Sequence, residues 1–175
     1  MNVEHWDAAV TTARAEELGR LLADTVSSGA SVGFLSPLDR DHAWAYWVEV
    51  ARSVAAGTVQ LLVVLQGDEL VGAVQLHPAQ QPNALHRAEV ANLMVRSVYR
   101  QKGFGRKLML AAHEWARSYS RTTLVLATRT GDRSERLFQS LGWVKSGEVP
   151  LYARSADGSL HATSCYHLIL SAAPA

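Results

Sequence analysis

The segment 88–119, AEVANLMVRSVYRQKGFGRKLMLAAHEWARSY, most constrains what this chain can become. Its first part is an apolar strand pattern. A basic, glycine-containing stretch follows, RQKGFGRKL at 100–108, and then Phe104, Leu108, Ala111, Trp115 and Tyr119 recur at helical spacing. A strand that passes through a tight loop into a helix belongs to a sheet packed on helices, so the chain mixes α and β structure. Glycines at 103 and 105 let the backbone turn sharply at the helix start and leave several N–H groups free to face one anion. Each exposed interaction of an anion with a helix N-terminus contributes about 0.3–1 kcal/mol, so amides acting with Arg100, Lys102, Arg106 and Lys107 suffice for a polyphosphate. The plain alternative is a strand-to-helix turn with solvated basic residues.

Two other phosphate motifs are excluded by the letters themselves. A dinucleotide fingerprint needs a third glycine where Leu108 stands, and a P-loop needs Lys and then Ser or Thr directly after its last glycine, where Arg106 and Lys107 stand.

Around this unit the periodicity predicts a helix over 13–26 with Leu18, Leu21, Leu22 and Val26 on one face. Ser36 and Pro37 read as the cap and first position of a second helix, whose Trp44, Trp47, Ala51 and Val54 form a buried stripe. TVQLLVVLQ and ELVGAVQLH, joined through Gly67 and Asp68, read as an antiparallel hairpin. TTLVLAT is a further strand, DRSERLFQSLG an amphipathic helix, and WVKSGEV and TSCYHLIL are closing strands with SADGSL as the turn between them. The order is that of an α+β domain, a mixed central β-sheet flanked by helices. With 175 residues and 48% hydrophobic content, residues 1–175 make a single domain with one core.

A net charge of +1 gives no global field for nucleic acid, and no apolar run reaches the length of a membrane span. The start carries acidic residues and no signal-like core, and one cysteine cannot form an internal disulfide, which suits a reducing cytoplasm. Nothing in the spacing of the seven histidines marks a metal site, so no metal is expected. A homodimer stays open, since no heptad marks a contact.

The stretch VANLMVRSVYRQKGFGRKLM resembles the acetyl-CoA-binding segment of the GNAT family of N-acetyltransferases, with Arg100, Gly103 and Gly105 at its characteristic positions. The likeness covers about 58–170. GASVGFL, NALHRAEVANLMV and GEVPLYARSADGSLHAT further resemble the tabtoxin-resistance branch, which acetylates an amino-acid-like toxin. The resemblance implies the GNAT acyl-CoA N-acyltransferase fold and acetyl-CoA as cosubstrate. It also implies that backbone groups of Leu93, Met94 and Val95 pair with the pantetheine arm as an added strand, and that the amides of Gln101, Lys102, Gly103, Phe104, Gly105 and Arg106 bind the pyrophosphate, with Arg100 a further cofactor contact.

Acetyl transfer to an amine needs a deprotonated nitrogen, a polarised thioester and a proton for the departing thiolate. Glu89, at the start of the strand that leads into the motif, is the first candidate base; its ordinary alternative is an ion pair with Arg87. His77 and His86 are secondary bases or substrate contacts. Many GNAT enzymes place a tyrosine acid in the helix after the fifth strand. Phe138 stands at that position, a cofactor contact that cannot donate a proton, and Gly131 stands near the place of a frequent asparagine. Tyr152, in an expected loop after Pro150, is the substitute acid or a lining residue. Cys165 alternates with apolar strand residues and reads as packing, although His167 shares its face. Most of the five tryptophans read as core, and Phe34 is placed nearest the substrate.

The sequence therefore points to transfer of acetyl from acetyl-CoA to the amine of a small molecule, with detoxification of an amino-acid-like compound as its role. A peptide or protein N-terminus is the alternative acceptor. A non-catalytic acetyl-CoA-binding module is the alternative of another class.

Overall fold

The run 60–66 shows no polar–apolar alternation because both of its faces are covered. It forms β2 (Gln60–Gln66), which buries Leu61 and Val63 on one side and Leu62 and Val64 on the other. The computed structural model describes residues 2–170. Gly67, at φ 61°, and Asp68 turn β2 into β3 (Glu69–Pro78), with Gln66 opposite Glu69 as the hairpin pattern predicts. β4 (Arg87–Val95), β5 (Thr123–Arg129), β6 (Val144–Arg154) and β7 (Leu160–Ile169) extend the sheet, and β1 (Val3–Trp6) lies at its other edge. The strand order is β1-β2-β3-β4-β5-β7-β6; β4 and β5 run parallel and the other neighbours antiparallel. This is the mixed sheet of an α+β domain.

Helices α2 (Ala15–Ser27) and α3 (Arg40–Ala55) cover the face that carries Leu61, Val63, Ala73 and Met94, and α1 (Ala8–Ala13) packs against α3. α4 (Phe104–Ser118) and α5 (Ser134–Ser140) cover the opposite face, over Leu62, Val74, Leu76, Val90 and Leu124. Among the described residues no helix is long and apolar enough to cross a membrane.

The structure revises several sequence expectations. β1 and α1 precede the first expected helix; β1 is four residues long and owes its place to backbone pairing with β2, which leaves little side-chain signal. The helix expected over 13–26 instead starts after a break at Arg14. α3 is capped by Asp39, whose carboxylate accepts from the His42 N–H at 3.1 Å, and Ser36 and Pro37 lie in the preceding loop. Trp44, expected in the buried stripe, is 51% exposed, because the buried face of α3 runs through Ala43, Trp47, Val50 and Ala51. On α4 the buried stripe turns toward Met109, Ala112 and Ala116, so Tyr119 is exposed and stacks on Trp115 at 4.5 Å.

His113 lies in that stripe, and its Nε2 accepts from the Trp143 indole N–H at 3.1 Å. Burial, with help from the Arg117 charge, lowers its pKa to about 4. An unfolded His113 titrates near 6.5, so between the two values the unfolded chain binds the extra proton and stability falls as pH falls. The expected loss, of order 2–3 kcal/mol in full, appears as a falling denaturation midpoint between about pH 6.5 and about pH 4. His113→Gln is expected to flatten that slope, and an equal slope in both proteins assigns the acid sensitivity elsewhere.

Candidate functional site

β4 and β5 are paired only through 87–89 and 123–125. Past Glu89 and Val125 they separate: β4 continues against β3, and β5 continues against β7. A wedge therefore opens in the middle of the sheet, walled on one side by the backbone of 90–95. At its wide end the chain leaves β4, passes a short turn over Ser97–Tyr99 and enters the glycine stretch.

Gln101 has φ 61° and Gly103 φ 85°, so the backbone here doubles back before α4 begins at Phe104. Lys107 N–H, bonded to the Gly103 carbonyl, starts the helical ladder. The N–H groups of 101–106 have no hydrogen-bond acceptor among the described residues. The first turn of α4 carries Arg106 and Lys107 and no acid, the reverse of what the helix dipole favours, and a bound anion reconciles the two. At Gly105 a Cβ would lie 3.3 Å from Leu137 and 3.9 Å from Val95 side-chain atoms, so a residue without a side chain keeps this entrance tight. An extended ligand with a diphosphate end fits these groups: strand backbone for the arm, helix-start amides for the charge.

The basic side chains divide their work. Arg100 donates from Nε to the Val95 carbonyl at 3.1 Å and from Nη2 to Ser28 Oγ at 2.6 Å, so it braces the loop where the sequence had it holding phosphate. Lys102 lies over the Tyr99 ring and Arg106 donates to Ser140 Oγ. The C-terminal end of α2 is fastened across the wedge. Asp24 accepts from Ser97 N–H and Oγ, both at 2.7 Å, Ser28 meets Arg100 beyond β4, and the Gly29 carbonyl accepts from Arg129, at the end of β5, at 2.8 Å. These ties hold the loop that bears Phe34, whose ring meets Tyr46 edge-on at 5.0 Å.

The face of the sheet under α3 carries a polar group that sequence reasoning missed. Gln75, 1% exposed in an apolar strand, donates from Nε2 to Tyr46 Oη at 2.9 Å, and its Oε1 accepts from His77 Nε2 at 3.0 Å. Asn92 donates from Nδ2 to Tyr46 Oη at 2.8 Å and approaches Gln75 Oε1 at 3.3 Å. Asn92 has φ 52° and occupies the bulge where β3–β4 register shifts, which turns it onto the face of Ala91. His77 lies directly opposite Glu89, so the two share this face at the point where the wedge begins. Burial lowers the His77 pKa, with the Glu89 charge opposing, and the imidazole is neutral at pH 7. Glu89 itself is exposed and makes no ion pair with Arg87 among the described residues. The one signal available in the sequence was a glutamine inside an apolar run.

Phe34, His77 and Glu89 thus converge with Tyr46, Gln75 and Asn92. Other expected residues do not. His86 precedes β4, with its carbonyl on Thr123 N–H, and lies about 20 Å along the strand from Asn92. Phe138 is 5% exposed and packs on Trp143 and Tyr166, so its ring is part of the core. Tyr152 is not in a loop: β6 continues through it, and the register shift after Val149 leaves it 63% exposed. Cys165 is a half-buried free thiol, and the His167 beside it is hydrogen-bonded to Ser146 at 2.6 Å. A groove of about 560 Å³ between α2 and α3, lined by Glu16, Arg20, Leu38 and Trp44, shares no residue with this site. No group of three or more metal-ligating side chains occurs among the described residues.

Comparison with known proteins agrees with this geometry. The model of the acetyltransferase (GNAT) family matches residues 35–143. Among solved structures, the chain is similar to a ribosomal-protein-alanine N-acetyltransferase from Brucella melitensis, at 21% identity over 97% of this chain and 100% of that one, with a TM-score of 0.77. It is similar to yncA from Salmonella typhimurium, assigned as an acetyltransferase and solved with its cofactor acetyl-CoA, at 18% identity over 100% and 96%, TM-score 0.79. A third, assigned as a phosphinothricin N-acetyltransferase, shares 18% identity over 97% and 98%, TM-score 0.76.

Proposed function

The chain belongs to the GNAT acetyltransferase family, and on that premise we propose that it moves an acetyl group from acetyl-CoA to the primary amine of a small, amino-acid-like molecule. The observation that carries the reading is the wedge between β4 and β5, with its backbone wall on one side and the unbonded helix-start amides of 101–106 at its mouth. Acetyl-CoA supplies the activated acyl group. Residues 93–95 present strand backbone to the pantetheine arm, the amides of 101–106 meet the diphosphate, and Gly105 keeps the entrance narrow.

Glu89 takes the proton from the acceptor nitrogen, directly or through water, with neutral His77 beside it. A lysine-like amine costs about 4–5 kcal/mol to deprotonate at pH 7, and an α-amino group about 1–1.5 kcal/mol, so an α-amino acceptor asks less of this carboxylate. A small acceptor is favoured because the Ser28–Gly29 step is tied to both flanks of the wedge, which brings Phe34 against Tyr46 and narrows the acceptor side. Membership of the tabtoxin-resistance branch, a detoxifying role and a cytoplasmic site of action belong to the same reading.

The test is acetyl-CoA-dependent thiol release, with mass detection of the product, across amino acids, dipeptides, aminoglycosides and polyamines. Saturable product from amino acids supports the reading. Product from peptide termini alone moves the acceptor to proteins, and acetyl-CoA binding without any product reduces the chain to a binding module.

A further inference from the structure

Position 138 offers the departing thiolate no proton, since it is a phenylalanine, buried among Trp143 and Tyr166. We propose that Tyr46, reaching the wedge from α3, is the group that protonates the thiolate. The inference rests on the acetyltransferase reading above.

Three observations carry it. The first is a proton count: Tyr46 Oη accepts one N–H from Gln75 and one from Asn92, which fills both of its lone pairs, and its own hydrogen has no acceptor among the described residues. A hydroxyl so held can act toward a ligand only as a donor. The second is location. Asn92 occupies the β4 bulge, beside the backbone of 93–95 that walls the wedge, so the hydroxyl stands at the reacting end of the pantetheine path. The third is electronic: two N–H groups aimed at the phenol oxygen stabilise the phenolate that forms when the proton leaves. Burial opposes them and raises the resting pKa, so the proton is present at neutral pH.

The step balances without a further reactant. The acceptor nitrogen bonds to the acetyl carbon, the carbon–sulfur bond breaks with its electron pair on sulfur, Glu89 takes the nitrogen proton, and Tyr46 gives its own to sulfur. Water returns a proton from Glu89 to Tyr46. Gln75 and Asn92 are positioning residues in this scheme.

The experiment measures binding of CoA and of acetyl-CoA by calorimetry from about pH 8 to about pH 10, where only CoA has a thiol to ionise. The titratable groups near Tyr46 are His77 and Glu89, with Cys165 and His167 farther along the same face of the sheet, and all are common to both ligands, so the ratio of the two affinities cancels them. In the wild-type protein a donor at the sulfur favours bound thiolate, and CoA is expected to gain on acetyl-CoA by about tenfold across this range. Tyr46→Phe keeps the ring on Phe34 and Trp47 and is expected to leave the ratio flat, with kcat lowered by about a hundredfold and KM for acetyl-CoA within about twofold. Gln75→Met, which removes one donor to the phenol oxygen, is expected to fall between the two and gives a second reading if the first variant fails to fold. A rising ratio in Tyr46→Phe equal to that of the wild type, or a flat ratio in the wild type, overturns the inference. Failure of both ligands to bind the wild type overturns the acetyltransferase reading instead.

Discussion

Glu89→Gln is expected to lower kcat by about a hundredfold or more while acetyl-CoA binds as before. The substitution keeps the shape of an exposed side chain that makes no ion pair among the described residues, so the fold loses little. What disappears, on the proposed mechanism, is the group that takes the amine proton. Its place in the register makes the expectation specific: Glu89 is the last β4 residue paired with β5 before the strands part, and its neighbour across β3 is His77, which burial keeps neutral. Steady-state kinetics with calorimetric acetyl-CoA binding check this, and turnover equal to wild type assigns the base to another group, with His77 next in line.

Gly72→Ala is expected to destabilise the protein by about 2–3 kcal/mol and to lower Tm by roughly 5–10 °C. The sign is unusual, because alanine in place of a strand glycine normally helps by about 0.5–1 kcal/mol. At this position, however, the added Cβ would lie 2.6 Å from the Met94 carbonyl, 3.2 Å from Leu108 and 3.3 Å from Val95. A backbone carbonyl cannot yield unless β3 and β4 separate, and Met94 and Val95 belong to the wall of the wedge. Acetyl-CoA affinity should therefore fall together with Tm. A calorimetric scan that shows an unchanged or higher Tm would mean that β4 relaxes at no cost.

The cofactor side was legible because its conformations are local. A backbone that doubles back between strand and helix needs particular letters, and Gly103 at φ 85° and the basic residues around it stand next to one another in the chain. Glu89 was singled out on the same local ground, being six residues or fewer from the backbone of 90–95. Tyr152 was misplaced because Pro150 suggested a loop, whereas β6 carries the proline through a shift in register. Arg100 was given to phosphate on its charge and its place in the glycine motif; only contact with Val95 and Ser28 shows it bracing the loop.

From its letters alone this chain determines an α+β sheet, a glycine-containing strand-to-helix loop and a carboxylate near the start of that strand. Tertiary structure decided the polar cluster under α3. Tyr46, Gln75, Asn92 and His77 meet across separations of 46 residues between Tyr46 and Asn92 and 29 between Tyr46 and Gln75. Their meeting depends on strand register, since a slip of one residue turns every side chain of a strand to the other face, and on a bulge that adds Asn92 to the face of Ala91. No local preference encodes either. They follow from how the hairpin, β4 and α3 pack once both faces of the sheet have been covered.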